Sequence, residues 1–311
     1  MKLIIQIPCF NEEETLPQVL KGIPDQIEGI DTIETMIIND GSTDNTVEVA
    51  RKYGVHHIVN NVGNRGLGNT FREGMLHAIK LGADILVNTD GDNQYPSIYI
   101  SDLVKPILDG HAEIVIGDRQ TNKIRHFSPL KRFLQWMGTQ VTKALSGDNT
   151  IRDAVSGFRA YSRNALLELN ITSNFSYILD TTVQASNKKL KTVTKPISVN
   201  PPTRPSRLFK SMWEHIWKSG TQILRIYALY KPLRVFFGIG LLFLVAGALP
   251  IIRFLYHYFF LDKGSGMIQS LVIGGVLISI SINLFSLGII GDLMSKNRKL
   301  IEYILKEIKD K

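Results

Sequence analysis

Asp90 and Asp92 flank Gly91 just after the apolar run Asp84-Ile85-Leu86-Val87-Asn88, with Thr89 between. Glycine allows a tight turn, so both carboxylates can face one ion. Two further carboxyl-rich loops also follow apolar runs. Asn11-Glu12-Glu13 comes after Leu3-Ile4-Ile5-Gln6-Ile7-Pro8, and Asp40-Gly41-Ser42-Thr43-Asp44 comes after Thr35-Met36-Ile37-Ile38. In an open α/β sheet the loops at the carboxyl ends of neighbouring strands line one crevice, where ligands bind. Carboxylates gathered there repel one another unless something cationic joins them. Hard oxygen ligands suit Mg2+ or Mn2+, with phosphate oxygens and water completing the shell. A divalent cation carrying a diphosphate is the chemistry these residues favour. Asp-Gly-Asp also occurs in ordinary turns; the preceding strand, with Gln94 and Pro96 following, is what favours a ligand role here.

Positioning such loops requires a sheet. Apolar β-type runs fall at residues 3–8, 34–38, 56–59, 84–89, 113–117 and 190–199, and helix-type segments at 12–22, 43–53, 66–81, 97–109, 129–145 and 163–169. This alternation predicts an α/β domain, a mostly parallel sheet with helices on both faces, over residues 1–205. Gly63, Gly66 and Gly68 do not make the GxGxxG fingerprint of dinucleotide enzymes, and no Walker A loop is present. Phosphate must then be held through metal and arginine.

The 311 residues carry a formal charge of +8, concentrated between Arg204 and Arg234 and again from Lys296 to Lys311. Both clusters flank long apolar stretches, which suits anionic headgroups or lipid phosphates; no nucleic-acid-binding signature is present. Leu233–Ile252 and Met267–Gly291 are each about the ~20 residues that cross a bilayer. They predict a transmembrane hairpin within 232–291 (spans at about 233–255 and 267–291), making this an integral membrane protein. The basic flanks place the catalytic domain and a C-terminal helix over 292–311 in the cytoplasm. A buried core hairpin of a soluble protein is the alternative. Residues 206–231 read as an amphipathic helix, lying in the interface with Trp213 and Trp217 at headgroup level or packed on the soluble domain. Gly275, Ser279 and Asn283 form a small-polar stripe suited to contact within the hairpin or with another subunit of a homo-oligomer, or merely facing lipid. The single cysteine, Cys9, excludes disulfides within the chain and fits a reducing compartment. The N-terminal run is short, contains Pro8 and leads into acidic residues, unlike a signal peptide.

An ordered set of motifs then carries a resemblance: Pro8-Cys9-Phe10-Asn11-Glu12, Asn39-Asp40-Gly41-Ser42-Thr43-Asp44, Asn64-Arg65-Gly66-Leu67-Gly68, Asp90-Gly91-Asp92-Asn93-Gln94, Gly117-Asp118-Arg119, Asp153-Ala154-Val155-Ser156-Gly157-Phe158-Arg159 and Arg204-Pro205-Ser206-Arg207-Leu208. The chain resembles glycosyltransferase family 2 enzymes of the GT-A fold. Within them it is most similar to the polyprenyl-phosphate (dolichyl- and undecaprenyl-phosphate) sugar transferases of the dolichyl-phosphate mannose synthase type. The resemblance covers residues 1–230.

That resemblance implies an inverting transfer of one sugar from a UDP- or GDP-linked nucleotide-sugar to the phosphate of a membrane polyprenyl phosphate. Pro8, Phe10, Asn11, Glu12, Asp40, Gly41, Ser42, Gly66, Asp90, Gly91 and Asp92 would bind the nucleotide-sugar. Asp90, Asp92 and Gln94 would hold Mg2+ or Mn2+, and Arg119, Arg132, Arg204, Ser206 and Arg207 would receive the lipid phosphate. Arginine's planar fork suits phosphate; attraction to headgroups without a specific pocket is the other reading of the last three. Asp92, Asp153 and Arg119 would be the catalytic set. A phosphate monoester ionises with a second pKa near 6 and needs no strong base, so Asp153 is cast as an orienting group. Three motifs depart from the family pattern: Asn39 replaces an aspartate, Asp118 a serine, and Pro205-Ser206-Arg207-Leu208 a Gly-x-Ser-Lys. Asp118 would either orient Arg119 or cap a turn. Two rivals stand beside this reading. A processive polysaccharide synthase would need a Gln-x-x-Arg-Trp motif, of which Gln222-Ile223-Leu224-Arg225-Ile226 lacks the tryptophan. A nucleotide-sugar-binding scaffold without activity is the other.

Overall fold

The computed structural model describes residues 1–121, 129–147, 151–171, 177–201, 221, 230–260 and 267–310. The chain folds as two units, residues 1–207 with 305–311, and residues 208–304.

Among the described residues the first unit holds seven strands: β1 (Lys2–Cys9), β2 (Thr32–Asn39), β3 (His57–Asn60), β4 (Ile85–Asn88), β5 (Ile114–Asp118), β6 (Arg159–Ser162) and β7 (Thr192–Pro196). The described helices that connect and cover them are α1 (Leu16–Lys21), α2 (Thr46–Lys52), α3 (Leu67–Lys80), α4 (Ile100–Leu108), α5 (Pro129–Ser146), α6 (Arg163–Glu168) and α7 (Tyr177–Asn187). The order across the sheet is β3-β2-β1-β4-β6-β5-β7. Every pairing is parallel except those of β6, which runs antiparallel to both β4 and β5.

Strands buried on both faces read as continuous apolar runs, and successive residues serve opposite cores. Ile4, Leu86 and Ile116 point into one core with Phe71 and Met75 of α3. Leu3, Ile5, Ile85, Val87 and Val115 point into the other with Leu103 and Val104 of α4. The sheet is mostly parallel, as expected, and is made mixed by β6, whose four residues, Arg-Ala-Tyr-Ser, have no apolar run to mark them. It is buried nonetheless: Arg159, Ala160 and Tyr161 are all 0% exposed.

The second unit contains α8 (Pro232–Phe260) and most of α9 (Ile268–Asp310), both long and apolar enough to cross a membrane. They touch through small residues seven apart. Gly247 on α8 meets Gly274 on α9, Gly288 meets Phe236 and Phe237, and the Ser281 hydroxyl donates to the Gly240 carbonyl at 2.8 Å. A Cβ at Gly274 would lie 2.7 Å from the Gly247 carbonyl oxygen and 2.5 Å from Ile251 Cγ1. The stripe Gly275/Ser279/Asn283 is not the hairpin contact. A Cβ at Gly275 meets nothing within 4 Å, and Ser279 and Asn283 are exposed and bond back to carbonyls of their own helix. Gly274→Ala is therefore expected to destabilise the hairpin by about 1–3 kcal/mol, the usual cost of overpacking. Gly275→Ala should be neutral or slightly stabilising. Thermal melts of the two variants in detergent check this, and equal effects would refute the register.

Candidate active site

The parallel register brings one end of each strand to a common edge: Cys9 of β1 lies opposite Asn39 of β2, Asn39 opposite Asn60 of β3, and Gln6 of β1 opposite Asn88 of β4. β1 has β2 on one side and β4 on the other, so the chain reverses its direction of travel across the sheet there. This is the topological switch point at which open α/β sheets form a crevice. β6 reaches the same edge from the opposite direction. Arg159 pairs with Asn88 and Ile116, so the loop 153–158 is delivered beside the ends of β4 and β5.

The first two carboxyl-rich loops are stitched together. The Asn11 amide donates to Ser42 Oγ at 2.9 Å, and Asn11 Oδ1 accepts from the Thr43 amide at 2.8 Å. The Glu12 amide donates to Thr46 Oγ1 at 2.8 Å, and Glu13 Oε2 accepts from the Asn45 amide at 2.9 Å. Asp40, buried, clasps the next loop: Oδ1 accepts from the Arg65 amide (2.9 Å) and Oδ2 from the Gly66 amide (3.0 Å). Asn11, Asp40, Ser42 and Gly66 thus hold the crevice wall in shape. Pro8, next to last in β1, lies opposite Ile38, with Phe10 just beyond the strand.

Asp90 sits deeper. Burial, then the Asp92 carboxylate, then Glu12 push its carboxyl up to about 7, against the pull of Arg119. Gly91 lies where a Cβ would stand 3.1 Å from both Cys9 Sγ and Glu12 Cγ, so its role is to let β1 and the Asp90–Asp92 loop approach closely. Asp92 Oδ1 accepts from the Gln94 amide at 3.0 Å, fixing the turn. Among the described residues no three His, Cys, Asp or Glu side chains gather as a ready-made metal cage. Two carboxylates that still need substrate oxygens and water match the way Mg2+ binds. A divalent cation would offset the repulsion that Asp90 meets from Asp92 and Glu12, so the residues fit the ion.

Arg119 and Asp153 form a buried bidentate pair, Nε to Oδ2 at 2.7 Å and Nη2 to Oδ1 at 2.9 Å, each about 5% exposed. Burial alone would raise the Asp153 carboxyl; the Arg119 charge and hydrogen bonds outweigh it and hold it below the usual range. Asp118 caps a turn, accepting from the Gln120 amide at 2.9 Å, while Asp153 orients Arg119. Arg132 lies on α5, half-buried. Arg204, Ser206 and Arg207, and most of 206–231, lie outside the described residues.

Sequence reasoning missed a polar chain beneath the carboxylates. Gln6 Nε2 donates to Asn88 Oδ1 at 3.2 Å, and Asn88 Nδ2 lies 2.8 Å from the Tyr177 hydroxyl, which donates to the Gly157 carbonyl at 3.0 Å. Tyr177 stacks on Phe71 with ring centroids 3.9 Å apart. The signal was present: Gln6 and Asn88 interrupt otherwise apolar strands, and a polar group there must be satisfied inside the protein.

The family model described as glycosyl transferase family 2 matches residues 4–169, which span β1 to the end of α6 and contain the Asp90–Asp92 loop and the Arg119–Asp153 pair. The chain belongs to this family. Among its relatives is glycosyltransferase AglJ of Haloferax volcanii, 26% identical over 93% of this chain and 92% of that protein. UDP-N-acetylglucosamine–dolichyl-phosphate N-acetylglucosaminyltransferase of Methanococcus voltae is 30% identical over 53% of this chain and 70% of that one. In fold, the family 2 domain is similar to glucosyl-3-phosphoglycerate synthase of Mycobacterium tuberculosis, solved with Mg2+ and UDP. The TM-score is 0.56 at 18% identity, over 73% of this chain and 78% of that one.

Proposed function

We propose that this family 2 glycosyltransferase moves one sugar, with inversion, from a UDP- or GDP-linked donor to the phosphate of a membrane polyprenyl phosphate. The observation that carries the reading is the juxtaposition at one sheet edge of the repelling pair Asp90 and Asp92 with the buried Arg119–Asp153 pair. The first is a seat for a cation and its diphosphate, the second an oriented guanidinium for an anion. The similarity to the dolichyl-phosphate transferase of Methanococcus voltae supports the lipid acceptor.

Asp90, Asp92 and Gln94 would hold Mg2+ or Mn2+, which when bound neutralises the leaving diphosphate. Pro8, Phe10, Glu12 and the loop clasped by Asp40 would enclose the nucleotide. Arg119, steered by Asp153, would align the acceptor phosphate with Arg132, Arg204, Ser206 and Arg207. A phosphate oxygen then attacks the anomeric carbon from the face opposite the leaving group, which accounts for inversion. The apolar helices α8 and α9 would anchor the chain in the bilayer, with the catalytic unit and the basic C-terminus on the cytoplasmic side.

The test is a screen of nucleotide-sugars against a short polyprenyl phosphate, read by mass spectrometry. A lipid-linked monosaccharide, lost on chelation, is expected. A ladder of sugars, or donor binding with no product, would overturn the reading. Arg207→Ala is expected to raise the apparent KM for the lipid phosphate about tenfold while leaving that for the nucleotide-sugar within twofold. An unchanged lipid dependence would reassign Arg207 to headgroup attraction.

A further inference from the structure

The segment that leaves β7 is fastened to both halves of the site. The Ile197 amide donates to the Asp118 carbonyl at 2.8 Å, next to Arg119. Three residues on, Asn200 grips two consecutive carbonyls of the Asp92 loop: its amide donates to Gln94 O at 3.0 Å, and its Nδ2 donates to Asn93 O at 2.9 Å. Asn93 is held in a left-handed conformation (φ 58°), and its own Nδ2 donates to Gln18 Oε1 of α1 at 2.9 Å. The segment Ile197–Asn200 therefore ties the strand end that leads to Arg119 to the loop read as holding the cation.

We infer that Asn200 is a positioning residue that couples the two substrates, so that ordering the Asp90–Gln94 loop around a cation and diphosphate favours binding of the acceptor phosphate at Arg119, whose neighbour Asp118 is bonded to the same Ile197–Asn200 segment. This rests on the site reading proposed above. Coupling of this kind is reciprocal: the lipid phosphate must tighten cation binding by the same factor that cation and nucleotide tighten lipid binding. Gln18 provides the internal comparison, because it steadies the same loop from the side that does not lead to Arg119.

The experiment measures Mn2+ binding to the full chain in detergent by electron paramagnetic resonance, with UDP or GDP present, with and without a short polyprenyl phosphate. In the unsubstituted protein the lipid phosphate should tighten Mn2+ binding at least about fivefold, the low end of ordinary couplings. In Asn200→Ala that factor should fall to about one, and the KM for lipid phosphate should rise with kcat within about threefold. Gln18→Ala should weaken Mn2+ binding while retaining the factor. Asn200→Asp keeps the size and the backbone bond but loses the side-chain donor, and should behave as Asn200→Ala if the latter folds poorly. An Asn200 variant that keeps the full factor, or a Gln18→Ala that loses it equally, would overturn the inference. Absence of Mn2+ binding in the unsubstituted protein with either nucleotide would instead sink the donor-site reading itself.

Discussion

Asp92→Asn is expected to reduce sugar transfer by about three orders of magnitude while leaving the protein folded and in the membrane fraction. The size follows from the several kilocalories per mole that a cation contributes to a developing negative charge, at about 1.4 kcal/mol per tenfold in rate. The specificity follows from the local structure. Asp92 Oδ1 accepts the Gln94 amide at 3.0 Å, and asparagine has an Oδ1 that can accept the same bond. The turn should therefore persist and only the charge be lost. Activity is read with saturating Mn2+ or Mg2+, and integrity by circular dichroism. A variant that kept full metal-dependent turnover would refute the assignment of Asp92 to the cation.

The second large effect is on stability as well as rate. Asp153→Ala should destabilise the catalytic unit by about 3–5 kcal/mol, because it strands the Arg119 guanidinium, 6% exposed, without its counter-charge. Removing both charges together, as Arg119→Met with Asp153→Leu, should recover most of that stability, since a buried ion pair is often no better than apolar packing. It should not recover transfer. Recovery of activity in the double variant would show that the pair is structural alone. The effect also has a pH signature. Asp153 is held below its usual pKa, so its folded form binds a proton less readily than its unfolded form. Its stabilisation is full above the ordinary aspartate value of about 3.9 and is lost as pH falls through the lowered folded value. The stability gap between the unsubstituted protein and Asp153→Ala should be widest near neutrality and narrow in acid, measured by thermal melts across that range.

The features legible in the sequence share a physical cause. Apolar runs such as 3–8 and 84–88 could be read because a strand covered on both faces is apolar at nearly every position, Gln6 and Asn88 being the buried exceptions. The elements that escaped lacked such runs. β6 has four residues and begins with a buried arginine whose Nη1 bonds Thr181 and Thr182 and whose Nη2 bonds the Ala154 carbonyl. No local pattern announces a cation satisfied by a carbonyl five residues before it and by hydroxyls more than twenty residues after it. In the apolar hairpin the sequence marked small residues but not which of them touch. Gly274 and Gly275 are neighbours, yet consecutive residues point about 100° apart on a helix of 3.6 residues per turn, and only Gly274 faces the partner helix.

The sequence by itself determined the α/β class, the apolar helices and the kinds of groups available: hard carboxylates after strands, arginines for anions, glycine where chains must pass closely. These are local properties, fixed by residue type, period and spacing. The tertiary structure alone decided which of those groups meet. One antiparallel strand carries Asp153 back to Arg119 across 34 positions, and backbone amides occupy both oxygens of Asp40. Asn200 closes on a loop more than a hundred residues earlier. Such pairings depend on strand order and register, which side-chain chemistry along the chain leaves open until the sheet has formed.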